Sequence, residues 1–276
     1  MPRHRYVVAD VFTDTPLQGN QVAVFTNAQE IPEQQLQALA REINYSETVF
    51  VYPPAGDGHV GIRIFTPATE LPFAGHPTLG AAFVLAGPLQ LIEIVLETGR
   101  GPVAVTLERE GARIVFGRMR QPAPTITPFE HADAALAALG GVASQLPVEL
   151  YDNGVPHVLV ALDSREQVAA LQPDFGALAA VGRYGFNCFA GDGTHYKTRM
   201  FGPALGVNED PATGSAAGPI ALHLARHGRI GFGDEIELVQ GEELERRSVL
   251  YAAAHSEEHI EVGGSAVVVA RGEFQI

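Results

Sequence analysis

The sequence predicts an α+β protein of two pseudo-symmetric domains, each a curled β-sheet or barrel wrapped around its own central apolar helix. Three observations lead there. Short segments rich in Val and Ile outnumber helical ones. The helical segments Pro77–Leu85 and Ala216–Arg226 lack the charged stripe of a surface helix over most of their length, so each must be surrounded by protein. A block in the first half of the chain also returns, in the same order, in the second.

In chain order, RYVVADVF, QVAVF, TVFVY, VGIRIF, IEIVL, VAVTL and ARIVF read as strands separated by Gly, Pro or charged turns. Helices are expected at Glu33–Ile43 and Pro77–Leu85. The run QPAPTITPF, from Gln121, is rich in Pro and Thr and reads as a linker. It sets the expected domains at 1–120 and 121–265, with the final strand, 266–276, a candidate to return to the first domain. The second half supplies a helix at Ala132–Leu139 and then VELYD, HVLVAL, a helix near Gln167, GFNCFAG and KTRMF. The apolar helix follows, and then EIELVQG, SVLYAAAH, HIEVGG and AVVVARGEF.

The repeat is visible when RIFTPATELPFAGHPTLGAA is set beside RMFGPALGVNEDPATGSAAGPIA. Arg63 faces Arg199, Phe65 faces Phe201, and Pro67 faces Pro203. After a short gap Glu70 faces Glu209, Pro72 faces Pro211, Gly75 faces Gly214, and His76 faces Ser215. Upstream, NYSETVFV resembles NGVPHVLV in its Asn and its apolar tail. Gene duplication is the reading these matches favour.

Of 276 residues, 46% are apolar and 18% charged, a globular composition. The 32 acids against 18 bases leave a net charge of -14, which argues against nucleic acid or an anionic membrane as a partner. One cysteine, Cys188, excludes an intramolecular disulfide framework and a Cys-rich zinc site, and its apolar surroundings read as buried and inert. No signal-peptide core and no run of membrane-spanning length occur, so a soluble cytoplasmic protein is expected.

Candidate chemistry gathers at the two helix starts. A helix N-terminus presents unpaired N–H groups and the positive end of its dipole, and glycine there lets an anion approach. AGHP places His76 just before Pro77, a residue favoured at the first helical position. TGSA places Ser215 where an N-cap hydroxyl belongs. Asp210 precedes Pro211, and Glu47 stands in the polar NYSE that leads into TVFV. Taken singly, Ser215 and His76 read as caps, Asp210 as a turn residue and Glu47 as a solvated strand end. Together they form an acid or imidazole beside each helix start plus a carboxylate at the mouth of a strand. His223 and His227 have the i, i+4 spacing of a metal pair but no third ligand nearby in sequence, so no metal is expected. GDG at Gly191–Gly193 matches a hairpin turn, and no nucleotide-binding or Gly-x-Ser-x-Gly motif occurs.

At PLQGNQVAVF, NYSETVFV, RIFTPATELPFAGHP, NCFAG and RMFGPALGVNEDPATGSAAGPIALHLARH the chain resembles the PhzF family of phenazine-biosynthesis isomerases, within the diaminopimelate epimerase-like fold. The resemblance covers essentially the whole chain. It implies a cofactor-free isomerase, working as a homodimer on a small anionic cyclic substrate, trans-2,3-dihydro-3-hydroxyanthranilate. The family's catalytic acid matches Glu47, and its substrate-contacting positions match Gly75, His76, Asp210, Gly214 and Ser215. The implied chemistry removes a proton from C3 and delivers one at C1, with His76 and Asp210 orienting polar groups and carrying protons for tautomerisation. Related racemases place a thiol at each helix start; here those positions are Ala74 and Thr213, which excludes that route. The rival readings are an isomerase or epimerase of the same family acting on another small carboxylate, and a non-catalytic binding or scaffold protein.

Overall fold

The computed structural model describes residues 2–276. The chain divides into two compact units, one running to Arg120 and including Gly263–Ile276, the other Gln121–Val262.

The first unit contains β1 (Arg3–Val11), β2 (Asn20–Phe25), β3 (Glu47–Tyr52), β4 (Val60–Phe65), β5 (Glu70–Leu71), β6 (Glu93–Thr98), β7 (Gly101–Glu110) and β8 (Arg113–Gln121), with helices α1 (Glu33–Ile43) and α2 (Gly75–Leu89). β1 pairs antiparallel with β2, β2 parallel with β3, and β3 antiparallel with β4. β4 pairs antiparallel with β5 and parallel with β6, and the β6–β7–β8 run is antiparallel. The parallel β2–β3 step requires a crossover, which α1 supplies. α1 buries Leu36, Leu39 and Ala40 among Phe25, Phe50 and Phe65. It ends at Asn44, whose left-handed backbone (φ 56°) turns the chain into β3.

α2 is buried continuously from Gly75 to Phe83 and again at Ala86. Two glycines show how closely it is held. A methyl group on Gly80 would lie 2.5 Å from Val22 Cγ1 and 2.8 Å from Val11 Cγ2, on β2 and β1. A methyl group on Gly117, in β8, would lie 2.8 Å from Leu79 Cδ1 and from Phe83 Cε2 on the helix. Strands from both ends of the run therefore touch the same helix, which requires a sheet curled about it.

The second unit contains β9 (Thr125–Pro128), β10 (Glu149–Asp152), β11 (Pro156–Ala161), β12 (Gly185–Asp192), β13 (His195–Gly202), β14 (Val207–Asp210), β15 (Glu235–Gln240), β16 (Ser248–Ser256) and β17 (His259–Gly264). Its helices are α3 (Ala132–Ala138), α4 (Arg165–Ala169), α5 (Phe175–Val181) and α6 (Gly214–Arg226), and β18 (Ala266–Gln275) pairs antiparallel with β1 in the first unit. The second unit repeats the first step by step. β9–β10 and β10–β11 are antiparallel, β11–β12 parallel across α4 and α5, and β12–β13 antiparallel. β13 pairs antiparallel with β14 and parallel with β15, and β15 antiparallel with β16. α6 takes the place of α2 and is buried from Gly214 to Ala225.

The duplication extends to side chains. Arg63 Nε and Nη2 donate to Glu70 at 2.7 Å each, while the guanidinium lies 5.2 Å from the centre of the Phe65 ring. Arg199 Nε and Nη2 donate to Glu209 at 2.7 and 2.8 Å, while its guanidinium lies 4.9 Å from the Phe201 ring. Each pair clamps one strand to the next short strand, just before the apolar helix.

The structure departs from the sequence reading at several points. Thr125–Pro128, inside the expected linker, is a strand in register with β10 from Thr125↔Asp152 to Pro128↔Glu149. Its prolines lie before the strand or at its end, where no ladder N–H is lost, and Thr-Ile-Thr suits a strand. α5 was not anticipated. Both apolar helices also begin two residues early, at Gly75 and Gly214, with N-caps Ala74 and Thr213. Ser215 is therefore the second helical residue and not the cap, and Pro77 is third; its missing N–H costs nothing in the first turn. Among the described residues no helix is long and apolar enough to cross a membrane.

The packing of α2 makes a direct prediction. Gly80→Ala gains up to about 1 kcal/mol of helix propensity but forces a methyl into Val22 and Val11, an overpacking cost of about 1–3 kcal/mol. Urea denaturation is expected to show net destabilisation. Gly87→Ala, on the same helix with nothing within 4 Å of its added methyl, should be neutral or stabilising. Equal stability of the Gly80 variant and wild type would show that α2 is not held as described.

Candidate active site

In the first unit, Glu47 opens β3, alongside Val22 of β2. Its side chain is 14% exposed, so it is not a solvated strand end. His76, buried in the first turn of α2, approaches it with Nδ1 3.2 Å from Glu47 Oε2. The other ring nitrogen, Nε2, lies 3.2 Å from the backbone carbonyl of Gln21. A carbonyl oxygen can only accept, so Nε2 carries the proton and donates to it. Burial drives the imidazole towards neutrality, pushing its pKa down to about 3 against a smaller opposing effect of the Gln21 bond. In the neutral ring Nδ1 then holds a lone pair, and Asn20 Nδ2 approaches it at 3.4 Å. Glu47 and His76 are consequently not an ion pair. An oxygen and a nitrogen that each present a lone pair sit at hydrogen-bond distance, an arrangement that is attractive only with a proton on the carboxyl.

In the second unit, Asp210 ends β14 and is tied to the start of α6. Thr213 Oγ1 donates to Asp210 Oδ2 at 2.7 Å. The buried Gln240 side chain locks this turn: it accepts from Thr213 N at 3.0 Å and donates to Asp210 O at 2.8 Å and to Thr213 Oγ1 at 3.0 Å. The Thr213 hydroxyl thus donates to the Asp210 carboxylate and accepts from Gln240, and its oxygen accepts from no N–H of the helix.

The first turn of α6 is held by side chains from other elements. Pro219 has no N–H, so the carbonyl of Ser215 lacks its helical partner. Asn153 Nδ2 donates to it at 2.8 Å. Gln121 Nε2 donates to the carbonyl of Gly214 at 2.7 Å. Ser215 Oγ lies 2.9 Å from His157 Nε2, and Asn187 Nδ2 lies 3.2 Å from His157 Nδ1. Burial pushes the His157 pKa down to about 3, with Asp152 opposing weakly.

The structure thus brings Glu47, Gly75 and His76 together in the first unit, and Asp210, Gly214 and Ser215 together in the second. It adds residues the sequence reading did not single out: Asn20, Gln21, Gln121, Asn153, His157, Asn187 and Gln240. The one available hint was His157, a lone imidazole in the apolar run of NGVPHVLV. The structure also places a third group beside His223 and His227. Glu149 Oε2 lies 3.1 Å from His223 Nδ1 and from His227 Nε2. The same oxygen accepts from Arg226 at 2.9 Å and Tyr151 at 3.1 Å, so the guanidinium already supplies its cationic partner. Cys188 is buried, and burial pushes its thiol up to about 12.

Residues 9–272 match the PhzC-PhzF family model, described as phenazine biosynthesis-like protein. The chain is 48% identical over 273 residues to the trans-2,3-dihydro-3-hydroxyanthranilate isomerase of Pseudomonas aeruginosa, covering 98% of each sequence. It superposes on the structure of a predicted epimerase from Pseudomonas aeruginosa with a TM-score of 0.86 and 30% identity, over 99% of both chains. It shares its fold with a hydroxyproline epimerase from Agrobacterium vitis at a TM-score of 0.69 and 12% identity, over 99% of this chain and 91% of the other.

The buried histidines predict how stability depends on pH. His76 and His157 fall from 6.5 to about 3, and His223 to about 4, each chiefly through burial. Below pH ~6.5 the unfolded chain binds protons that the folded protein refuses, so stability falls as pH drops, by up to about 1.4 kcal/mol per pH unit for each group. The melting temperature should therefore drop by several degrees between pH 7 and pH 5, above the range where ordinary carboxylates titrate. A flat or rising melting temperature across that window would contradict burial as neutral imidazoles.

Proposed function

The chain belongs to the PhzC-PhzF family of phenazine biosynthesis-like proteins, and from that premise we propose that it isomerises trans-2,3-dihydro-3-hydroxyanthranilate. The observation that carries the proposal is the Glu47–His76 contact, a carboxyl oxygen 3.2 Å from an imidazole lone pair. A scaffold protein has little use for a carboxyl set against a neutral imidazole, because no ion pair holds the two together. An enzyme that must take up, hold and release one proton gains a place to keep it.

The reaction needs only proton movement. The Glu47 carboxylate removes the hydrogen at C3, and the electron pair of that bond enters the ring π system. The carboxylic acid so formed donates to His76 Nδ1, which holds it in one orientation. The same carboxyl then delivers a proton to C1 and is a carboxylate again; the enol so formed becomes the ketone when its hydroxyl loses its proton and a carbon of the enol double bond gains one. Atoms and electrons balance within substrate and carboxyl, so no electron carrier or group carrier is called for. A carboxyl within reach of both carbons on one ring face can serve both steps.

His76 acts here as the holder of Glu47. Its Nε2 proton is committed to Gln21 and its Nδ1 accepts, so at neutral pH it has no proton to give. That differs from the tautomerisation role expected from the resemblance. Asp210 and Ser215 orient the polar groups of the substrate, and the first-turn amides of α6 favour its carboxylate. The negative charge of the whole molecule makes these local dipoles necessary for an anionic substrate.

Glu47→Gln should bind substrate, because the amide keeps the shape, and lose turnover by about 10²–10⁴-fold, the usual contribution of general acid–base catalysis. Loss of the substrate's diene absorbance on incubation with wild type, and its persistence with the variant, is the expected result. Wild-type turnover by Glu47→Gln would remove Glu47 from the mechanism. A folded wild type that leaves the substrate unchanged would overturn the proposed substrate.

A further inference from the structure

We infer that His157 is a positioning residue that locks the Ser215 hydroxyl as a hydrogen-bond donor, so that the start of α6 selects an acceptor-only ligand oxygen such as that of a carboxylate. The inference rests on the reading above, in which Ser215 meets the substrate.

A backbone carbonyl sets the orientation of Asn187. Asn187 Nδ2 lies 2.9 Å from the carbonyl oxygen of Gly185, which can only accept. This orients the Asn187 amide: the nitrogen must face Gly185. The same nitrogen lies 3.2 Å from His157 Nδ1, so its second N–H points at the imidazole. Nδ1 must then offer a lone pair. A protonated Nδ1 would set two donors against each other in a site from which water is excluded. The ring therefore carries its proton on Nε2, 2.9 Å from Ser215 Oγ. Oγ accepts that proton's hydrogen bond, and its own hydrogen must point elsewhere. Burial also depresses the His157 pKa, in keeping with a neutral ring.

What remains is a hydroxyl hydrogen without an acceptor. Ser215 is 5% exposed, and among the described residues His157 Nε2 is the partner of its oxygen. A buried donor left unsatisfied costs free energy that an acceptor would recover. The helix N-terminus beside it adds N–H groups and the positive end of the dipole. A ligand amine or N–H would meet donors alone, whereas a carboxylate oxygen meets donors it can accept from. The chain Gly185–Asn187–His157–Ser215 thus carries chemical specificity from a main-chain carbonyl to the ligand.

Two readouts test this. Long-range 1H–15N NMR of wild type reports which imidazole nitrogen of His157 carries the proton, without reference to activity. The Nε2–H form is expected; the Nδ1–H form would overturn the inference even in a fully active enzyme. An inactive wild type would overturn the proposed substrate instead, and the NMR result would still decide the wiring. The second readout is a kinetic cycle. Ser215→Ala and His157→Leu should each raise KM by roughly 10- to 100-fold, the loss of a hydrogen bond to a charged group, with a smaller change in kcat. His157→Gln, which keeps a donor near the position of Nε2, should restore KM to within about threefold of wild type. Combining His157→Leu with Ser215→Ala should cost no more than Ser215→Ala alone, because His157 acts through Ser215. Additive losses, or a kcat effect without a KM effect, would contradict the assignment.

Discussion

In each unit a main-chain carbonyl that can only accept decides the chemistry of a buried imidazole. Gln21 O holds the Nε2 proton of His76, leaving Nδ1 as an acceptor towards Glu47. Gly185 O orients Asn187, whose amide makes Nδ1 of His157 the acceptor and Nε2 the donor towards Ser215. The two rings turn opposite nitrogens to these side chains, Nδ1 to Glu47 and Nε2 to Ser215. The result is a proton acceptor behind Glu47 and a proton donor behind Ser215. Both settings depend on exclusion of water, because a solvated histidine would exchange tautomers and titrate near neutrality.

That exclusion is the work of the duplicated frame. α2 is buried from Gly75 to Phe83 and α6 from Gly214 to Ala225, and β1, β2 and β8 pack against α2 too closely at Gly80 and Gly117 to admit an added methyl. The Arg–Glu clamps at Arg63–Glu70 and Arg199–Glu209 recur at matching points before each helix, with a Phe ring under each guanidinium. The frame has been kept while its contents diverged. The first copy places an imidazole on the helix itself, at His76. The second places a hydroxyl there, at Ser215, and supplies the imidazole from a strand.

Much of this was legible in the sequence, for physical reasons that can be named. A helix without a polar face announces its own burial, and the repeat of Arg, Phe, Glu, Pro and Gly in one order announces the second copy. Glu47, His76, Asp210 and Ser215 stood out because their residue types suit helix starts and strand mouths. What stayed hidden depends on register between distant strands. His157 lies opposite Gly185, 28 positions along the chain, and only that pairing brings Asn187 to its ring. Glu149 meets His223 from 74 positions away, which no local spacing reveals. The linker reading failed at Thr125–Pro128 because prolines at the margins of a strand look, in sequence, like prolines within a loop. The cap reading failed at Ser215 because Thr213, also a good cap type, takes the position and spends its hydroxyl on Asp210.

The central claim is that one carboxyl, held by one neutral imidazole, carries a single proton from C3 to C1. The most direct measurement uses substrate deuterated at C3, turned over once in ordinary water and stopped at the earliest time that gives product. NMR then reads the isotope at C1. A shared carrier shielded from solvent predicts that a measurable fraction of the product carries deuterium at C1. Product with only protium at C1 from the first turnover onward would contradict a sequestered Glu47 carrier.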